Sequence, residues 1–264
     1  MKLQIVPASR GIQWVQLGIR TFFKQPLALS GLFFIFLAVM SVLNVLPIVG
    51  SVLSFVLMPG VTFGLLAAAR EASHGKFPMP TILITAWRSG SVQRRHMLVL
   101  GALYTVGLVL ILCVTPLVDG GGFAKMMLLG EAPSAEERQD MGFQFAMLFA
   151  SGLNMPLTLL FCHATALVHW HNAPPVKSLF FSLAAIAGNF RAFAVYGLVW
   201  MGIFLGFGII MAMLVTAIGG AETVAALAYP AAMLIATMVF TSIYFTFEGS
   251  FELAQGEGTC HNIT

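Results

Sequence analysis

Apolar residues in this chain fall into long runs separated by short polar breaks, and the runs are of similar length. A helix needs about 20 mostly apolar residues to cross the hydrocarbon core of a bilayer. Six runs qualify: 27–46, 49–69, 97–117, about 148–169, 193–216 and 224–247. The first two are joined by Leu46-Pro47-Ile48-Val49-Gly50, a Pro/Gly turn without charge that predicts a tight hairpin. Ahead of the fourth run, Ser134-Ala135-Glu136-Glu137 reads as a capping box, with Ser134 as N-cap and Glu137 at N3. It predicts a helix that begins outside the membrane and runs inward through a kink at Pro156. The pattern as a whole predicts an all-α integral membrane protein with six transmembrane helices.

The segments between the runs carry a second, amphipathic pattern. On a helix over residues 10–24, Trp14, Phe22, Val15, Ile19, Ile12 and Phe23 occupy one half-circle. Gln16, Arg20, Gln13, Lys24, Arg10 and Thr21 fill the other, and only Leu17 is out of place. Aromatics on one face and cations on the other predict a helix lying in the interface plane. Pro26 ends it before the first span. Over 176–190, Val176, Leu179, Phe180, Leu183, Ala187 and Phe190 share a face opposite Lys177, Ser178, Ser182 and Asn189. Residues 81–90 repeat the theme weakly. Each such segment precedes a hairpin of spans whose second helix holds one proline: Pro59, Pro156 or Pro230. Three degenerate copies of interfacial helix plus hairpin are expected, over about 8–70, 78–171 and 174–248, in a single membrane domain with an acidic tail at 249–264. The alternative reading is that any interfacial helix before a hairpin looks this way.

Composition agrees with lipid as the main solvent. Of 264 residues, 59% are hydrophobic and 9% charged, with a mean hydropathy of +0.92, whereas a soluble domain is about a quarter charged. Placement of charge then sets orientation. Lys2, Arg10, Arg20 and Lys24 precede the first span; Arg70, Lys76, Arg88, Arg94 and Arg95 separate the second and third; Lys177 and Arg191 separate the fourth and fifth. With six spans, 11 of the 13 cations fall on one side. Only Lys125 and Arg138 fall on the other, among Asp119, Glu131, Glu136, Glu137 and Asp140. The cationic side is therefore read as cytoplasmic, with both termini there. No soluble region is long enough for a nucleic-acid-binding face. The N-terminus lacks the apolar stretch and cleavage site of a signal peptide, so no cleaved leader is expected.

Several motifs carry a resemblance. They are Phe22-Phe23-Lys24-Gln25-Pro26-Leu27-Ala28-Leu29; Leu57-Met58-Pro59-Gly60; and Arg70-Glu71-Ala72-Ser73-His74-Gly75-Lys76 with Pro78 and Pro80. His163-Ala164-Thr165-Ala166-Leu167-Val168-His169-Trp170-His171 and Val176-Lys177-Ser178-Leu179-Phe180-Phe181-Ser182 belong with them. Together they make nearly the whole chain resemble an uncharacterised bacterial inner-membrane family. Cys162 and Thr165 stand where that family's histidine motif carries Trp and Pro. More remotely, the layout is similar to the membrane domain ahead of some glycerophosphodiester phosphodiesterases; residues 248–264 are too few for a catalytic domain to be expected after the last span. The resemblance implies a fold and a location, and no activity.

Candidate chemistry is sparse. No Asp, Glu, Lys or Arg lies inside a span, which argues against an ion-coupled transporter. His163, His169 and His171 are candidates for a heme or metal. On one helix, however, His163 and His169 stand about 120° from a shared face, and His169 and His171 differ by about 200°. One helix thus makes no chelate of them without help from His74 or His96, and an interfacial Trp/His belt with one hydrogen-bonded core histidine is the alternative. Gly60-x-x-x-Gly64-x-x-x-Ala68 and Gly202-x-x-x-Gly206 are small-residue stripes that predict close packing within the monomer. Asp119-Gly120-Gly121-Gly122 is expected to be a flexible outer loop. Cys113, near an outer helix end, and Cys162, in an inner half, are separated in depth by about 10 Å or more. They predict no disulfide, and with Cys260 they read as small buried hydrophobes. The sequon Asn262-Ile263-Thr264 lies on the cytoplasmic side and reads as chance.

The sequence therefore reads as a non-enzymatic membrane component: a scaffold, accessory subunit or lipid-interacting protein, without a cofactor. The alternatives are a channel or carrier for a lipid-like or uncharged solute, and a histidine-ligated heme or redox subunit. Expected partners are anionic lipids, held by Arg20, Lys24, Arg88, Arg94, Arg95, Lys177 and Arg191, with a membrane protein or a second copy also possible.

Overall fold

Proline and glycine set most of the helix boundaries. A computed structural model of the chain describes residues 3–218 and 220–251. Lys2, Cys260, the sequon at 262–264 and the rest of the expected acidic tail from 252 on lie outside the described residues. Helix α1 (Arg10–Lys24) stops because Pro26 pushes Gln25 out of the helical region, to φ −144° and ψ 60°. Pro26 then opens α2 (Pro26–Leu43) at a position where its missing N–H costs nothing. A tight turn, with Ile48 at φ 62°, leads into α3 (Val49–Ser73).

A 3-10 helix (Pro80–Ile84) and α4 (Thr85–Arg88) follow, then α5 (Ser91–Val114). The short helices α6 (Pro116–Asp119), α7 (Gly122–Leu129) and α8 (Ala135–Gln139) come before α9 (Met141–Cys162) and α10 (Ala164–His171). Helices α11 (Pro175–Gly188), α12 (Phe190–Ile218) and α13 (Ala221–Ser250) complete the described residues. The protein is 85% helix with no strand among the described residues, and six helical stretches are long and apolar enough to cross a membrane. They match the six expected runs. Pro59, Pro156 and Pro230 all lie inside their helices.

Helix α3 is the axis of the bundle. It contributes to three buried clusters at once: Leu66 and Ala69 to one with Trp14, Leu167, Tyr244 and Phe247; Leu65 and Ala68 to one with Phe22, Phe33 and Phe36; Phe63 to one with Met97, Leu100 and Phe161. Of its best membrane window 56% is buried, against 6% for α12. So α12 presents almost its whole circumference, including Leu198, Leu205 and Ile209, to the surroundings. For a membrane protein that surrounding is hydrocarbon, and such exposure costs nothing.

The interhelical segments collect at two ends. At one, Lys24 Nζ donates to the Ser73 carbonyl (3.3 Å) and Gln93 Nε2 to Asn172 Oδ1 (2.6 Å). There also the Val6 N–H donates to Asn189 Oδ1 (2.8 Å) and the Gln4 N–H to the Ser250 carbonyl (3.0 Å). The other end is tied by the Ile48 N–H and Ser51 Oγ, both donating to the Leu128 carbonyl. The cation-rich segments thus share one end, and Lys125 and Arg138 belong to the opposite one.

Several sequence expectations need correcting. The Ser134/Glu137 capping box forms, but α8 has only five residues. Asp140 takes an extended conformation and caps a new helix by accepting from the Phe143 N–H (3.0 Å), so no continuous helix enters from outside. Further on, a break falls at His163, between α9 and α10, while Pro156 lies inside α9. The Asp119–Gly122 segment is a structured turn: Gly120 and Gly121 take positive φ, and Asp119 accepts from the Gly121 and Phe123 N–H groups. Nothing lies within 4 Å of a Cβ built on Gly202 or Gly206, so that stripe packs on nothing within the monomer. Cys113 is exposed rather than buried.

The polar side of α11 turns to protein rather than to water. Ser178, Ser182 and Asn189 are buried, while Val176, Phe180 and Leu183 are exposed. Helix α1 keeps its predicted bounds, but its buried face docks on α12 and α13 with Trp14 against Phe193 and Tyr196.

Candidate lipid-headgroup site

The Arg70–Lys76 motif ends α3 at the cation-rich end. Gly75, at φ 76°, supplies the left-handed residue that closes the helix. The Gly75 N–H reaches the Ala72 carbonyl (3.0 Å) and the Lys76 N–H the Glu71 carbonyl (2.9 Å), a wrap that turns Lys76 back over the helix end. Pro78 and Pro80 then keep the chain extended until the 3-10 helix starts.

That helix and α4 return along α3 because its small-residue stripe lets them approach. A Cβ on Gly64 would lie 2.6 Å from Leu83 Cα, and one on Gly60 would lie 2.5 Å from the Trp87 ring. Ala68 is fully buried beside them. The stripe therefore packs within the monomer, as its spacing predicts. It brings Arg88 to the same crevice as Lys76.

The His163–His171 motif closes the other side. His169 stacks on Phe63, with ring centroids 4.2 Å apart. Its Nε2 lies 2.6 Å from Ser89 Oγ, whose own proton goes to the Thr85 carbonyl (2.8 Å). Nε2 is therefore the donor, and Nδ1 has no protein partner. The Arg70 guanidinium lies 5.1 Å from the Trp170 ring, a cation–π contact that fixes its direction. Trp170 in turn packs edge-on against Tyr244, whose hydroxyl donates to Glu248 (3.1 Å).

Two adjoining cavities result, of about 730 and 500 Å³, sharing Glu71, Lys76, Ile82 and Thr85. Arg70, His74 and His169 line the first, and Arg88 the second. Three permanent cations thus face one carboxylate across a crevice that also holds two imidazoles. Such a site can take a phosphate or carboxylate, with the guanidinium groups binding it bidentately.

The seven cations expected to hold headgroups fare differently. Arg88 lines the crevice, and Lys24 lies at its edge through Ser73. Arg20, Arg94, Arg95 and Lys177 are exposed singly. Arg191 lines a separate cavity of about 570 Å³ with Val6, Pro7 and Asn189. Sequence reasoning did not count Arg70 or Lys76 among the headgroup cations, and it considered His74 only as help for ligation by the motif histidines. The available signal was a basic motif at a span end followed by a capping glycine and two prolines.

The three motif histidines do not share a centre. His163 is fully buried at the α9–α10 break. Its backbone N–H donates to Ser182 Oγ (3.1 Å), which donates to the Leu159 carbonyl. Its Nε2 lies 3.1 Å from Thr246 Oγ1, which spends its proton on Ile243. Phe193, Phe247 and Phe251 surround the ring. His171 lies near Phe247 instead. Among the described residues no group of three or more His, Cys, Asp or Glu is placed to hold a metal.

A probable inner membrane protein of Burkholderia thailandensis is 37% identical over 254 residues, covering 95% of this chain and 94% of the relative. The chain belongs to the same family. No family model matches the chain, and no solved structure matches it.

Proposed function

We propose that this inner-membrane family member is a non-enzymatic, lipid-interacting component that holds an anionic headgroup at its cation-rich end, turned to the cytoplasm. The observation that carries the reading is the convergence of Arg70, Lys76 and Arg88 on one crevice with a single carboxylate, Glu71. Each cation near an anionic leaflet contributes about 1 kcal/mol. Three in one crevice, two of them guanidinium groups, favour a phosphate-bearing headgroup over a zwitterion whose amine would meet them. The exposed Arg20, Arg94, Arg95, Lys177 and Arg191 add a diffuse field around the crevice. Lipid binding with partly ordered headgroups also suits a scaffold or accessory subunit, which needs no catalytic group.

The test compares lipids retained by the purified protein, counted by native mass spectrometry. Lys76→Gln with Arg88→Gln should lower phosphatidylglycerol retention about tenfold or more, and leave phosphatidylethanolamine unchanged. Arg94→Gln with Arg95→Gln should have the smaller effect, because those side chains stand in water rather than in the crevice. Equal phosphatidylglycerol retention by the parent and the Lys76/Arg88 variant would remove the crevice as the site.

A further inference from the structure

A further cavity lies in the half of the bundle opposite the basic crevice, and its chemistry is different. Helices α2, α3, α5, α7 and α9 enclose about 320 Å³ there. None of its lining residues is an Asp, Glu, Lys, Arg or His. The walls are mainly apolar, and Met40, Met58 and Met127 give them side chains that adapt to shape. A charged group would be costly in such surroundings.

Two lining groups are nevertheless polar and unpartnered. Ser54 is 5% exposed, and its Oγ has no hydrogen-bond partner; Asn154 Oδ1, across the cavity on α9, has none either. Hydroxyls nearby bond a carbonyl of their own helix: Thr105 to Gly101 (2.8 Å) and Ser151 to Met147 (2.7 Å). Ser54 forgoes that bond. Buried polar groups ordinarily find partners, so an unpaired hydroxyl and an unpaired amide oxygen on one apolar cavity ask for one.

We propose that this cavity binds an uncharged membrane amphiphile, an apolar chain ending in a neutral hydroxyl or ester, of the diacylglycerol class. The guest's hydroxyl donates to Asn154 Oδ1, and Ser54 Oγ donates to a guest oxygen. Ligand pockets span about 300 to 1,000 Å³, so this one accepts the neutral group and the start of a chain. Exposed Asn44, also on the lining, marks where the remainder passes out.

The full chain in detergent, photolabelled with a diacylglycerol carrying a diazirine on its acyl chain, tests this. Label should map to residues 54–58 and 150–154. Unlabelled dioleoylglycerol should compete, whereas dioleoylphosphatidylglycerol and hexadecane should not. Ser54→Ala with Asn154→Leu should weaken labelling about tenfold, the loss of two hydrogen bonds, while phosphatidylglycerol retention stays at the parent value. Label on other segments, equal competition by hexadecane or phosphatidylglycerol, or undiminished labelling of the double variant would overturn the proposal. If the double variant fails to fold, the parent's label map and competition series decide by themselves.

Discussion

Glycine placement decides how α1 binds the rest of the molecule. A Cβ on Gly18 would fall 2.3 Å from Ser242 Cβ, and one on Gly11 would fall 2.3 Å from the Ala192 carbonyl oxygen. The buried stripe is therefore Gly11, Trp14, Val15, Gly18, Thr21 and Phe22, with Thr21 drawn from the half-circle read as polar. Ile12 (43% exposed) and Phe23 (65%) lie outside it, though the apolar half-circle read from the sequence included them. That half-circle was legible as amphipathic. Which part of it meets protein was not, because glycine has no polarity to mark a contact. Gly18→Leu should overpack this seam and destabilise by about 2 kcal/mol. For a chain of this size that is roughly a 4 to 8 °C fall in the melting midpoint of the detergent-solubilised protein. An unchanged midpoint would mean that α1 does not dock as described.

Elements show how lipid reverses the usual sense of a polar face. At α11 and its C-terminal end, Ser182 and Asn189 go inward to satisfy buried backbone, Ser178 is buried on the Pro175 carbonyl of its own helix, and Val176 and Phe180 face out. The two-faced pattern was legible, but its direction was not, since the partner of Ser182 is the backbone around the α9–α10 break. The capping box at Ser134 was legible for a local reason, and its helix is short for another: Asp140 competes as a second cap six residues on. Docking of α4 on α3 rests on Gly60, where any side chain meets Trp87. Gly60→Leu should expel Trp87, loosen the Ser89–His169 hydrogen bond and speed protease cleavage within 77–90, with no change in the number of spans. Parent-like cleavage rates would show that this segment is held by something else.

At the scale of the whole molecule, the six spans could be read directly, because bilayer thickness fixes how long an apolar run must be. The partition of charge was legible for the same reason: it depends only on counting spans. Reporter fusions after Glu71, Glu136 and Asn172 should read inside, outside and inside, and an outside reading after Asn172 would break the topology. Of the site, the sequence exposed the cations but only Arg88 among those lining the crevice. Arg70, His74 and Lys76 join it through the fold-back that Pro78, Pro80 and the glycine stripe produce, which no charge count displays. The central claim is that this basic end holds anionic lipid by electrostatic attraction, and attraction between partly exposed charges weakens with salt. The direct measurement is the ratio of phosphatidylglycerol to phosphatidylethanolamine carried by the parent protein from native membrane extract, followed by mass spectrometry over rising ionic strength. The account predicts enrichment of phosphatidylglycerol over the bulk membrane at low salt, declining steadily as salt rises. A ratio equal to that of the bulk membrane at every ionic strength would contradict it.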